Sequence, residues 1–253
     1  MIIKNIKEAV LFMATILCLT ACNKDGDETI ALEFGDKEKT EETDDRIDDV
    51  VPVDLQNKID DYMPLYRGKN PPNIEGVYHF YPLSIVFCSD GYYSPGDIMD
   101  DDLIIKFSNQ NNRKNTLDYD SYDQEIDQTA QSGKGAFVSG SGNNFTAYFN
   151  TSGTTYGITT KEAIIVSGTK TSQGIKDLHF CIVMVEKKND YDNELMDVGT
   201  YRVSNDDDGL SENATWNLHY SPSHKIKNEN AGIHERWLML SKKSGREMIN
   251  YTK

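Results

Sequence analysis

Past residue 72 the chain repeats one short phrase. A few residues of alternating or wholly apolar character are followed by Gly, Asn, Ser or Asp, and no long window of helical periodicity intervenes. Phe145-Thr146-Ala147-Tyr148-Phe149 alternates, as does Trp216-Asn217-Leu218-His219-Tyr220, the pattern of a strand with one face buried. His179-Phe180-Cys181-Ile182-Val183-Met184-Val185 is apolar on both faces and suits a strand covered on two sides. Strands are expected near 76–81, 83–88, 103–108, 115–119, 135–140, 145–150, 154–159, 162–168, 178–187, 198–204, 214–220 and 234–241. Turn residues separate them, as in Gly140-Ser141-Gly142-Asn143-Asn144 and Asn205-Asp206-Asp207-Asp208-Gly209. Evenly spaced short strands specify an all-β domain, an antiparallel meander barrel or else a β-sandwich.

A weak echo fits a meander. Phe137-Val138-Ser139-Gly140-Ser141 and Ile165-Val166-Ser167-Gly168-Thr169 both put Ser-Gly after an apolar pair, and both are expected to be strand ends turning at a positive-φ glycine. Ahead of the strands, Leu55, Ile59, Tyr62 and Met63 recur at helical spacing behind Asp54, a residue suited to cap. A short amphipathic helix is expected there, stopped by Pro64 and then by Asn70-Pro71-Pro72.

The first residues carry a different message. Lys4 and Lys7 precede an apolar run from about Ala9 to Leu19, which is too short to span a bilayer but suits the core of a signal peptide. It closes on Leu19-Thr20-Ala21-Cys22, which resembles a bacterial lipoprotein signal in which Cys22 is acylated and residues 1–21 are removed. Several acyl chains on one cysteine give stable anchoring where a single chain does not. Residues 22–52 are crowded with carboxylates and read as an acidic, flexible tether, leaving 53–253 as the folded domain. Lys24-Asp25-Gly26-Asp27-Glu28 resembles the acidic signal that sends lipoproteins of the Bacteroidetes to the cell surface, the alternative being a polar spacer. The net charge of −15 argues against nucleic acid as a partner, since nucleic acid rewards clustered Lys and Arg.

Two further resemblances bear on the domain. Asn70-Pro71-Pro72-Asn73-Ile74-Glu75-Gly76-Val77-Tyr78, the glycine turn at 140–146, and Ser167-Gly168-Thr169-Lys170-Thr171 with Gly174-Ile175 resemble a set of uncharacterised surface lipoproteins of the Bacteroides group, over about residues 60–190. That likeness implies an address and a β-rich body, and no reaction. Gly76-Val77-Tyr78 is also similar to the Gly-x-Trp opening of lipocalins, with Tyr in place of Trp. The lipocalin likeness implies a late arginine covering the opening aromatic, and Arg236, beside Trp237, falls where such a residue belongs.

Residues able to carry chemistry are few. Cys88 and Cys181 each sit in an apolar strand; two separate core thiols are expected rather than a disulfide, though an envelope location permits one. His79, His179, His219, His224 and His234 are scattered and form no metal-binding pair. Asp100-Asp101-Asp102 and Asp206-Asp207-Asp208 gather oxygen ligands, but neither fits the calcium loop, and after the second cluster Thr215 stands where the bidentate Glu belongs. They read as solvated turns, so neither a metal nor a cofactor is expected. No nucleophile elbow or phosphate-cradling loop occurs. The most suggestive stretch is Gly91-Tyr92-Tyr93-Ser94-Pro95-Gly96-Asp97-Ile98-Met99. Tyr92 and Tyr93 either present amphipathic rings to a sugar or peptide, or pack one inward and one across a barrel rim. The expected function is non-enzymatic binding of a small molecule or glycan at a barrel mouth. The alternatives are a structural or adhesive surface protein that binds other proteins and, behind it, a hydrolase.

Overall fold

The computed structural model describes residues 28–29, 46–47, 51–99, 102–123, 128–155 and 157–216. Cys22, the signal segment, most of the tether, Arg236 and the strand expected at 234–241 lie outside them. The elements are α1 (Val53–Asp60) and the strands β1 (Glu28–Thr29), β2 (Gly76–Phe80), β3 (Leu83–Cys88), β4 (Ile98–Met99), β5 (Leu103–Asn111), β6 (Thr116–Asp123), β7 (Gln128–Ser141), β8 (Asn144–Thr155), β9 (Ile158–Lys170), β10 (Gly174–Lys188), β11 (Tyr201–Asp206) and β12 (Leu210–Glu212).

The strands form one antiparallel sheet in the order β2-β5-β6-β7-β8-β9-β10-β11-β3-β4, a meander in which neighbours in sequence are mostly neighbours in space. Its two ends belong together. Only Tyr81-Pro82 separates β2 from β3, so they are halves of one bent strand. β4 and β5 run in succession along one of its edges, pairing Met99 with Leu83 and Leu103 with Phe80. β11 follows the other edge, with Asp206 opposite Leu83; beyond it the Asp207 amide donates to the Pro82 carbonyl and Asn213 bridges to Tyr78. The last stave therefore hydrogen-bonds to the first, and the sheet curls into the meander barrel rather than the alternative sandwich.

Three expectations about the strands need correction. Residues 154–159 are not a separate strand: β8 runs through Thr155, which pairs with Ile158 at the start of β9 across a tight turn. The regular part of the last stave ends at Glu212, so the strand expected from 214 is not formed over 214–216, and 217–220 lie outside the described residues. Gly140 has positive φ, as expected of a strand end, but β9 continues past Gly168 to Lys170. Both glycines instead flank Phe145, which pairs with Gly140 on one side and Gly168 on the other; a side chain at Gly140 would meet the Phe145 backbone.

Alternation gives the sheet two buried faces. Inside lie Tyr78, Phe80, Phe107, Tyr119, Phe145, Phe149 and Phe180, with aliphatic residues such as Leu83, Ile105, Leu117, Val138, Ile164 and Ile182. Outside, Phe137, Tyr148, Ile165, Cys181, Val183, Tyr201 and Val203 are covered by Ile47, Val51, Ile59 and Met63. This explains why β10 is apolar on both faces. The helix behaves as its spacing predicts, but Pro52 rather than Asp54 holds the N-cap and no side chain caps it. Tyr62 stacks on Phe87 with ring centroids 3.8 Å apart. Beyond α1 the chain continues along the wall, the Tyr66 amide donating to Thr146 Oγ1 and the Gly68 amide to Ser139 Oγ.

Candidate binding site at the barrel mouth

The two ends of the barrel differ in chemistry. Where β2 begins, the core is aromatic. The Tyr78 hydroxyl donates to the Ile74 carbonyl at 2.8 Å and lies against Gly76, where any side chain would collide with it. That contact gives the Gly76-Val77-Tyr78 opening its mechanical reason. Burial pushes the Tyr78 hydroxyl up to about 12, and the Lys170 ammonium sits 4.9 Å from its ring centroid. The cation observed over this ring is Lys170, and Arg236, the residue expected there, is outside the described residues.

At the opposite end, reached by the loop after β3, the β8–β9 turn and the loop after β10, polar and charged side chains face inward. On β9, Thr160 and Glu162 share the inner face with Ile158 and Ile164. Thr151, opposite Glu162, donates to its Oε2 at 3.0 Å. Lys187, opposite Thr160, is 3 % exposed and reaches Asp190 Oδ2 at 2.9 Å and Asn193 Oδ1 at 2.7 Å, which ties the loop after β10 across the opening.

Arg202 is the centre of this end. It shares the inner face of β11 with Ser204 and Asp206, while Tyr201 and Val203 turn outward under α1. Its side chain is fully buried, with Nη2 donating to Asp90 Oδ2 at 2.6 Å. The guanidinium lies 4.9 Å from the Tyr92 ring centroid and 5.4 Å from that of Tyr93. The two rings meet edge to face at 4.5 Å and are half-buried against the interior cluster. Both tyrosines thus roof the mouth, and their flat faces are spent on Arg202. Cys88 Sγ donates to Asp90 Oδ1 at 2.7 Å. Burial works to raise the Asp90 carboxyl, but the hydrogen bond and charge of Arg202 outweigh it and leave the group below its ordinary value. The Cys88 thiol is pushed up by burial and by Asp90, which keeps it protonated near neutrality and unsuited to act as a nucleophile.

Cys88 faces inward and Cys181 outward, and both are free thiols on opposite faces of the sheet, as expected. His79 pairs with Asp102 at 2.5 Å, which raises its pKa. His179 lies near the Asp177 carbonyl, lowered by burial, and His219, His224 and His234 are outside the described residues. Asp100 and Asp101 are also outside them. Asp206 turns into the barrel, accepts from Ser211 at 2.6 Å and meets the Asp208 carboxyl, while Asp208 also accepts from the Leu210 amide and Asp207 is exposed, so only two of the three carboxyl groups of the second acidic cluster come together. Among the described residues no group of three or more His, Cys, Asp or Glu side chains is placed to hold a metal ion.

Sequence reading singled out Tyr92 and Tyr93 and passed over Arg202, Asp90, Glu162 and Lys187, which the fold places at the same end of the barrel. The available signal was the alternation Tyr201-Arg202-Val203-Ser204 beside a strand apolar on both faces: where both faces are covered, a polar face has to be satisfied within the fold. Fold and site together define an antiparallel meander barrel, filled with aromatic rings at one end and lined with charge at the other. Compared with known proteins, the chain matches no family model, no curated protein and no solved structure.

Proposed function

We propose that this chain is a non-enzymatic binding protein, anchored in the outer membrane through acylated Cys22 and exposed at the cell surface, that holds a glycan or similar polar small molecule at the barrel mouth. The observation that carries the reading is the inward-facing set Arg202, Glu162, Thr151, Thr160 and Lys187 at one end of the barrel, with the Tyr92 and Tyr93 rings over Arg202. Recognition sites combine aromatic surface with a few fixed polar groups. The other half of the barrel argues against a deep apolar ligand, because Phe107 and Phe149 stack at 5.9 Å and Tyr119 lies 4.6 Å from Phe149.

The test is purification of the full chain from its own cells, mass spectrometry of what co-purifies, and a glycan screen of the wild type against a Tyr92→Ala/Tyr93→Ala variant. A ligand whose affinity drops by about tenfold or more in the variant supports the reading. A ligand bound equally by both overturns the mouth as its site. Cys22→Ser is expected to release the protein from the membrane fraction, and protease treatment of intact cells reports its exposure.

A second reading has its own observation. Tyr191, on the loop after β10, is 72 % exposed and Ile98, on β4, is 54 % exposed, and exposed apolar side chains of that kind suit adhesion to another protein.

A further inference from the structure

Asp90, Tyr92 and Tyr93, which engage Arg202, come from the single connection between β3 and β4. The connection is built as a compact roof. The Tyr92 amide donates to Asp90 Oδ1, the Gly91 amide to the Cys88 carbonyl, and the Ser94 amide to Asp97 Oδ2. At its root, Ser89 and Tyr201 exchange hydrogen bonds, the Ser89 amide to the Tyr201 carbonyl and the Tyr201 amide to Ser89 Oγ. Its far end returns to β3 through Gly96 and Asp97, both bonded to Ile85. Gly91 and Gly96, at φ 68° and 90°, bound the segment that carries the tyrosines.

Resting on the proposed binding function, we propose that Asp90 is an internal stand-in for the ligand, and that the ligand's own carboxylate replaces it on Arg202 when the roof lifts. The ligand class is then an acidic sugar, a uronic or sialic acid unit within a glycan. Three observations converge on this class. Arg202 is planar and always charged, the side chain best matched to a carboxylate. It is held on a rigid barrel stave, while its carboxylate partner is held on a loop. The two rings now against the guanidinium are the type that stack on sugar faces, and the same lifting would free them. A buried ion pair is not needed to close a barrel, since apolar residues of similar volume do so equally well or better. The pair is explained if one half of it is exchangeable.

The experiment is calorimetric titration of the full chain, wild type and Asp90→Asn, with glucuronate, N-acetylneuraminate and, as a neutral match, glucose. Thermal melting establishes first that the variant is folded. Asp90→Asn removes the internal competitor and is expected to tighten at least one acidic sugar by roughly tenfold, the factor of one charge-assisted hydrogen bond, with glucose unchanged. Arg202→Gln is expected to abolish acidic-sugar binding, and Arg202→Lys, which keeps the charge if the glutamine variant does not fold, to weaken it. Sugar binding with no gain in Asp90→Asn, or an equal gain for glucose, overturns the exchange while leaving the mouth-binding reading in place. No binding of any of the three sugars by either folded protein, together with an empty glycan screen, removes both.

Discussion

Asp206 shows what a single carboxyl costs inside an aromatic barrel. Burial is the main cause that pushes it up to about 7; a hydrogen bond from Ser211 partly offsets this, and the hydrogen-bonded Asp208 carboxyl beside it adds to the rise. In the unfolded chain the same group releases its proton near pH 3.9. Between those values the folded state holds a proton that the unfolded state has lost, so stability falls as pH rises, by about 1 kcal/mol per pH unit, and then levels off. His79 acts in the same direction: the Asp102 hydrogen bond raises it, so its contribution is complete below its unfolded value and is lost as pH rises through the folded one. Asp90 acts oppositely, contributing above about pH 4 and failing below its depressed folded value. Asp206→Asn is therefore expected to flatten the decline between about pH 4 and 7 without touching the acid limb. Denaturant melts across that range check it, and an unchanged slope would mean that Asp206 is ionised in the fold.

At the scale of elements, α1 is a cover for the outer wall of the barrel. Ile59 is fully buried on the outer wall, so Ile59→Ala is expected to lower stability by about 2–5 kcal/mol. Val53, 54 % exposed on the same helix, should change it by less than about 0.5 kcal/mol when cut to alanine. Equilibrium unfolding of the pair checks which face of α1 is held. The strands and this helix were legible because their signal is local: β3 falls on the expected residues, and turn residues mark most ends. The strand expected at 154–159 failed because Thr154-Thr155 and Ile158-Thr159 share one composition on either side of a short turn. The site was harder to read for a different reason. Alternation separates two faces but does not say which is inside, and on β11 the apolar face is the outer one, covered by α1, while Arg202 and Asp206 face in. Nor does local pattern join Asp90 to Arg202, which the closing of the barrel brings to 2.6 Å across a separation of 112 residues.

For the whole molecule, both described cysteines report on global opening. Cys181 is sealed beneath the helix and Cys88 behind the roof, so native protein is expected to leave both unlabelled by a thiol reagent, with labelling at the two sites rising together through the unfolding transition. Peptide mapping by mass spectrometry checks this. That holds for the ligand-free chain; an acidic sugar bound at Arg202 is expected to bring labelling at Cys88 alone forward, because the roof then lifts while the barrel stays closed.

The joining of last stave to first also governs how copies of this chain meet one another. An open sheet ends in rows of unsatisfied amides and carbonyls on which a neighbour can add a strand. Here β2 and β3 are bonded on both sides, and even the stretch of β10 beyond β11 is met by Glu28–Thr29. Among the described residues, the stretches left without a partner strand between them are 128–136 of β7 and 149–155 of β8, so any fibre-like stacking of the native molecule should begin there rather than at the seam of last stave and first.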